Sequence, residues 1–136
     1  MWRAGLGEDH WQGLEDKKVI SFISVIYSVT EWALFARRFF ESIVAVDESI
    51  SLTIRATDIK GRQLASLHPG IRLSGNYRTD LEMFEFTEVV AIAEVRAAPE
   101  ALARRVVRSI FELFNWNDPD ENMLHDWQQK LILRTY

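Results

Sequence analysis

From Lys17 to about Ser42 the chain contains no Gly or Pro, and its apolar positions recur every three or four residues. Val19, Phe22, Ile26, Thr30, Ala33, Arg37 and Phe40 follow one helical face, and Val25, Val29, Trp32, Ala36 and Phe39 fall on a second. Only a strip through Ser24, Ser28, Glu31 and Phe35 suits water. A helix apolar on nearly every side must be covered from more than one direction. It is therefore expected to be the central helix of a domain, or to lend part of itself to a partner through the serine and Phe35 strip or the Trp32 side.

The period then switches. In "SISLTIRATD", Ile50, Leu52, Ile54 and Ala56 alternate with Ser51, Thr53, Arg55 and Thr57, the pattern of a half-buried strand. "DIKGRQL" supplies a turn, with Gly61 placed for the left-handed residue of a short hairpin loop, and a return strand is predicted over about Arg62 to Leu67. "HPG" ends that strand and "SGNY" makes a further turn. A third strand, about Glu82 to Val90, sets Phe84 and Phe86 on one face.

"AIAEVRAAPEAL" predicts a short helical turn leading into a helix with Pro99 in its first turn. Leu102, Val106, Ile110 and Leu113 are central on its wheel, flanked by Ala103, Val107 and Phe114. In the last segment Asp118 is expected to cap, Pro119 to start the helix and Glu121 to complete a capping box, with Leu124, Trp127 and Leu131 as a narrow apolar stripe. The predicted fold is α+β: a small three-stranded antiparallel sheet packed with a long N-terminal helix and two C-terminal helices. Residues 1–16 lack periodicity and read as a flexible lead-in or linker; residues 17–136 read as a single α+β domain.

Composition agrees with one packed domain. The chain has 136 residues, 48% hydrophobic, with eight Phe, five Trp and three Tyr, enough large rings to bury a sizeable core. The longest uncharged run, Val19 to Thr30, falls far short of the roughly 20 residues a membrane span needs. The N-terminus carries no apolar stretch of a secretory signal. A soluble, cytoplasmic protein with no membrane partner is expected.

Candidate chemistry is thin. No cysteine is present, which removes disulfides and thiolate zinc sites. His10, His68 and His125 fall in different elements without ligand spacing, so no metal or other cofactor is expected. No Ser sits in a nucleophile elbow, and Ser21, Ser24 and Ser28 lack a nearby base; they read as sites of close helix packing. Phosphate-binding glycine loops are absent. Asp80, Glu82 and Glu88 of "DLEMFEFTE" read as a solvated face. The loop 74–80, "SGNYRTD", is the one place an enzyme or small-molecule site could be built, as a third-ranked reading.

Charge distribution is more informative. Five Lys/Arg (Arg55, Lys60, Arg62, Arg72, Arg78) face one acid between residues 55 and 78, whereas six acids face one base between 80 and 100. Neighbouring strands of opposite sign can pair across a sheet. The rival reading is a basic hairpin that touches phosphate or an acidic partner. Three further arginines punctuate "ALARRVVRSIFELFNW". Arg104 and Arg108 lie opposite the Val106 stripe and Arg105 at its margin, with Glu100 and Glu112 as their i,i+4 neighbours. This helix reads first as an amphipathic core element. Changing all three arginines is expected to cost little stability, as surface ion pairs are worth about 0–1 kcal/mol each.

"ISLTIRATDIKGRQL" and "EFTEVVAIAEVRAAPEALARRVVRSIFELFNW", roughly residues 50 to 116, resemble the C-terminal accessory region of bacterial Schlafen-like, AlbA-type DNA-binding proteins, a group also labelled transcriptional regulators or RecG-related ATP-dependent helicases. The resemblance implies an accessory or oligomerisation domain of a larger DNA-associated protein. The nucleotide- or nucleic-acid-associated module would lie upstream, so no catalytic residue is carried over. The expected function is thus non-catalytic, with other domains of a longer parent protein, or a second copy in a homodimer, as partners. Direct nucleic-acid contact through Arg55, Lys60, Arg62, Arg104, Arg105 and Arg108 is the alternative, disfavoured for a chain of net charge −4.

Overall fold

The computed structural model describes residues 19–41, 48–66, 71, 73 and 75–135. The element order is β1 (Val19–Ser21), α1 (Phe22–Phe40), β2 (Ser49–Thr57), β3 (Gln63–Ala65), β4 (Tyr77–Arg78), β5 (Met83–Ala91), α2 (Ile92–Ala97), α3 (Pro99–Glu112) and α4 (Glu121–Thr135). The class is α+β, with a long N-terminal helix and further helices after the strands. The expected lead-in over 1–16 lies outside the described residues.

Helix α1 is central. Phe22, Ile23, Val25, Ile26, Val29, Thr30, Trp32, Ala33 and Ala36 are buried, so both predicted apolar faces are covered, against α2, α3 and α4. Its start differs from the expectation. Val19–Ser21 is a strand rather than the first helical turn, paired in parallel with β3, and Ser21 caps the helix by accepting from the Ser24 backbone N–H at 3.3 Å. The last turn emerges from the core: Arg37 and Phe39, placed by periodicity on apolar faces, are exposed.

The strands form two small sheets, β1-β3-β4 and β2-β5, instead of one. β2 does not pair with the segment after Gly61 but runs antiparallel to β5, from Ser49 opposite Ala91 to Thr57 opposite Met83. Gly61 does take the left-handed conformation, at φ 75°, yet it serves a bulge instead of a hairpin. Arg62 N–H returns to the Ile59 C=O at 2.9 Å, and the same stretch stays joined to the opposite arm by Ile59 N–H to Glu82 C=O and Gly61 N–H to Thr79 C=O. Residues 58–62 lie against residues 79–82, one residue fewer, before pairing resumes at Gln63 opposite Arg78. An extra residue on one strand kinks and twists it, so the two arms form one bent ribbon whose far end takes up β1.

The ribbon's inner face carries Leu52, Ile54, Ala56, Phe84 and Val90 into the common core. At its far end the chain leaving α3 acts as a clamp. Asn115 adopts φ 65°, Asn115 N–H bonds the Glu112 C=O and Trp116 N–H the Phe111 C=O, the closure that commonly ends helices with a left-handed residue. Trp116 is thereby stacked between Phe111 (4.7 Å between centroids) and Tyr77 (4.5 Å), and Asn115 Nδ2 donates to the Arg78 C=O at 2.7 Å. Helix α4 begins two residues beyond Pro119. Asp120, not Asp118, accepts from the Asn122 N–H at 2.9 Å, which releases Glu121 for another role.

Candidate nucleic-acid or partner interface

The six basic candidates do not form one surface. Arg55 is exposed on β2 opposite Glu85, on the outer face of the ribbon, because Leu52, Ile54 and Ala56 occupy the inner one. Lys60 is exposed in the bulge, and Arg62 is held there by its Nε donating to the Asp58 C=O at 2.8 Å. Arg104, Arg105 and Arg108 lie on the helix side. Arg105 reaches Glu88, which shares the inner face with Phe84 and Val90 by strand alternation.

Each α3 guanidinium is engaged by carboxylates of the same chain. Arg105 donates through Nε to Glu88 Oε1 at 2.8 Å and through Nη1 to Glu94 Oε1. Its proton affinity is raised, first by the Glu94 hydrogen bond, with burial opposing and Glu88 adding to the rise. Arg104 and Arg108 share Glu121: Arg104 Nε meets Oε1 at 2.7 Å, and Arg108 Nη1 meets Oε2. These partners are 11 to 17 residues away in sequence, not the i,i+4 neighbours Glu100 and Glu112. Glu88 accordingly belongs to a salt bridge instead of the solvated carboxylate face expected from sequence.

Arg104 continues inward. Its Nη1 donates at 2.8 Å to Oε1 of Gln128, a fully buried side chain on α4. Gln128 Nε2 in turn donates to Thr30 Oγ1 at 3.1 Å and to the Glu100 C=O at 3.0 Å. A polar chain thus runs from Glu121 at the surface through Arg104 and Gln128 to buried Thr30, joining α4, α3 and α1. Among the described residues no buried side-chain polar atom lacks a partner. The network fixes the register of three helices, since sliding any one would strand a buried polar group.

The loop 74–80 is largely ribbon, with Ser74 outside the described residues. Tyr77 and Arg78 form β4, and buried Thr79 accepts from the Leu81 N–H at 3.2 Å. His10, His68 and Arg72 also fall outside the described residues, among which no grouping of three metal-ligating side chains occurs. No described helix is long and apolar enough to cross a membrane. Large apolar side chains do reach the surface on α1, where Phe35 (51% exposed) and Phe39 (60%) stack at 6.4 Å. Trp32, by contrast, is buried, so that side of the helix belongs to the core. No family model, curated protein or solved structure matches this chain.

Proposed function

We propose that this chain is a non-catalytic accessory domain that makes protein–protein contacts, self-association among them, within a larger DNA-associated bacterial protein. The observation that carries the reading is the closure of the α3 basic face: Arg104, Arg105 and Arg108 are all engaged by Glu88, Glu94 and Glu121. The carboxylates already balance the charge of all three guanidiniums, which lowers the gain a phosphate would draw from this face. The exposed Phe35 and Phe39 rings offer the kind of surface that protein contacts favour. The link to DNA rests on the resemblance over residues 50 to 116.

Direct nucleic-acid contact is the second reading, favoured by Arg55 and Lys60 standing exposed on the outer face and bulge of the ribbon. Titration of labelled duplex and single-stranded DNA with micromolar protein across a salt series separates the two. The interaction reading expects no salt-sensitive binding near physiological ionic strength. Binding that weakens steeply with salt, with a log–log slope shrinking by about one unit for each contacting arginine replaced, would establish the second reading instead.

A further inference from the structure

We infer that the free edge of β2 is a strand-pairing surface for a second copy of this chain, joined about a two-fold axis at Thr53. The inference rests on the interaction reading above and names its partner.

The antiparallel ladder determines which backbone groups face that edge. Ile92 N–H bonds the Glu48 C=O at 3.0 Å, in register with Ser49 opposite Ala91. Bonded and non-bonded pairs alternate along an antiparallel ladder, so the even-numbered residues of β2 bond to β5. The N–H and C=O groups of Ser49, Ser51, Thr53, Arg55 and Thr57 therefore point the other way. No described strand pairs with that side. A nine-residue strand whose outward donors and acceptors meet no described strand is a template for another strand.

The sequence of β2 is complementary to itself when reversed about Thr53. Pairing β2 with its copy sets Thr53 beside Thr53, Arg55 beside Ser51 and Ser49 beside Thr57, so every outward-facing backbone group meets a partner. On the inner face Leu52 adjoins Ile54, and half-buried Ile50 adjoins Ala56, extending the apolar face across the axis. Charge also selects this edge over its rival. Arg55 is the only charged residue of β2 and meets only Ser51 across the axis. β5 carries Glu85 and Glu88, and pairing it with its own copy about Thr87 would seat Glu85 against Val89 and Glu88 against Phe86. Charged side chains along an edge are a common guard against such pairing. β2 lacks that guard on most of its length.

Sedimentation velocity of the whole chain, from low micromolar to several hundred micromolar, is the test, with hydrogen exchange on the same samples. The wild type should pass from monomer to dimer, and the Ser51, Thr53 and Arg55 amides should gain protection as concentration rises. Thr53→Lys, which places two ammonium groups side by side at the axis, should raise the dimer Kd by about tenfold or more. Ser51→Pro should do the same without removing a bond to β5, because the Ser51 N–H faces the open edge; far-UV circular dichroism identifies whichever variant keeps its fold. Val89→Pro, whose N–H faces away from β2 in the same alternation, blocks the opposite edge without touching Thr53 or its Thr87 hydroxyl partner and should leave association unchanged. A wild type that stays monomeric throughout overturns the pairing, as does association that survives both β2 variants or is lost with Val89→Pro. None of those results bears on the DNA titration, which alone decides against the interaction reading in favour of nucleic acid.

Discussion

Replacing Arg104 by Ala should be far more damaging than replacing Arg108, although both bind the same carboxylate. The side chain of Arg104 is 19% exposed and that of Arg108 43%. Losing Arg108 removes one contact to half-exposed Glu121, worth about 0–1 kcal/mol. Losing Arg104 removes a similar contact and also leaves Gln128 Oε1 without a donor in a fully buried position. A stranded buried acceptor costs about 1–3 kcal/mol, and the Gln128 amide cannot turn over to compensate because its Nε2 is held by Thr30 and Glu100. The expected loss for Arg104→Ala is therefore about 2–3 kcal/mol. The triple arginine change, expected from sequence to be nearly harmless, should carry most of its cost at this one position.

Urea unfolding followed by tryptophan fluorescence measures the difference, with Trp116 and Trp127 as buried reporters. At slopes of about 1–3 kcal/mol/M the midpoint of Arg104→Ala should fall by about 1–2 M, against a few tenths for Arg108→Ala. A cycle with Gln128→Leu isolates the contact. Once Gln128 is gone, Arg104→Met should cost appreciably less than it does alone, by about 1 kcal/mol or more. Equal midpoints for the two alanine variants, or strict additivity in the cycle, would refute the coupling of Arg104 to the buried network.

Three further perturbations test other parts of the fold. Phe22→Ala removes a ring packed edge-on against Trp116 at 5.9 Å and Trp127 at 6.4 Å, and should lower stability in the same urea assay by about 3–5 kcal/mol. Gly61→Ala meets no atom within 4 Å of the new methyl group, so its cost should be the left-handed backbone alone, about 1–2 kcal/mol, and Gly61→Asn should recover part of it. Arg55→Glu sets two acids opposite each other at the Glu85 register position; the thermal midpoint should fall slightly, by the equivalent of a few tenths to 1 kcal/mol, and recover with added salt.

Periodicity made the helices readable, because burial on one side imposes a repeat whatever the neighbour is. The α3 stripe of Leu102, Val106 and Ile110 is buried, and the break between α2 and α3 falls at Ala98, just before Pro99. Strand partners were not readable in the same way. Gly61 signals a left-handed residue, and a left-handed residue serves a hairpin loop or a bulge equally well; only the long-range match of β2 with β5 distinguishes them. Val19 and Ile20 fit the helical repeat as well as a strand, because two apolar residues ahead of a buried helix suit either period. Ser21, a preferred capping residue, was the local sign that the helix begins after it.

The candidate site shows a sharper limit. Arginine positions on α3 could be read from a wheel, but their partners could not, because a wheel reveals only carboxylates three or four residues away. The actual partners come from β5, α2 and α4. Glu121 illustrates why local rules mislead here. In "DPDE" it completes a capping pattern with Asp118, yet Asp120 takes over the cap and Glu121 turns to bridge Arg104 and Arg108. One sign was available: Gln128 lies four residues from Leu124 and next to Trp127, on the apolar stripe of α4. A polar amide on a buried stripe needs partners on a facing element. Of the residues on α3, an arginine long enough to reach across a helix interface and end at the surface suits that need. A basic helix face is therefore evidence for an external phosphate only after the acidic segments elsewhere in the same chain have been placed, and here Glu88, Glu94 and Glu121 fold back onto it.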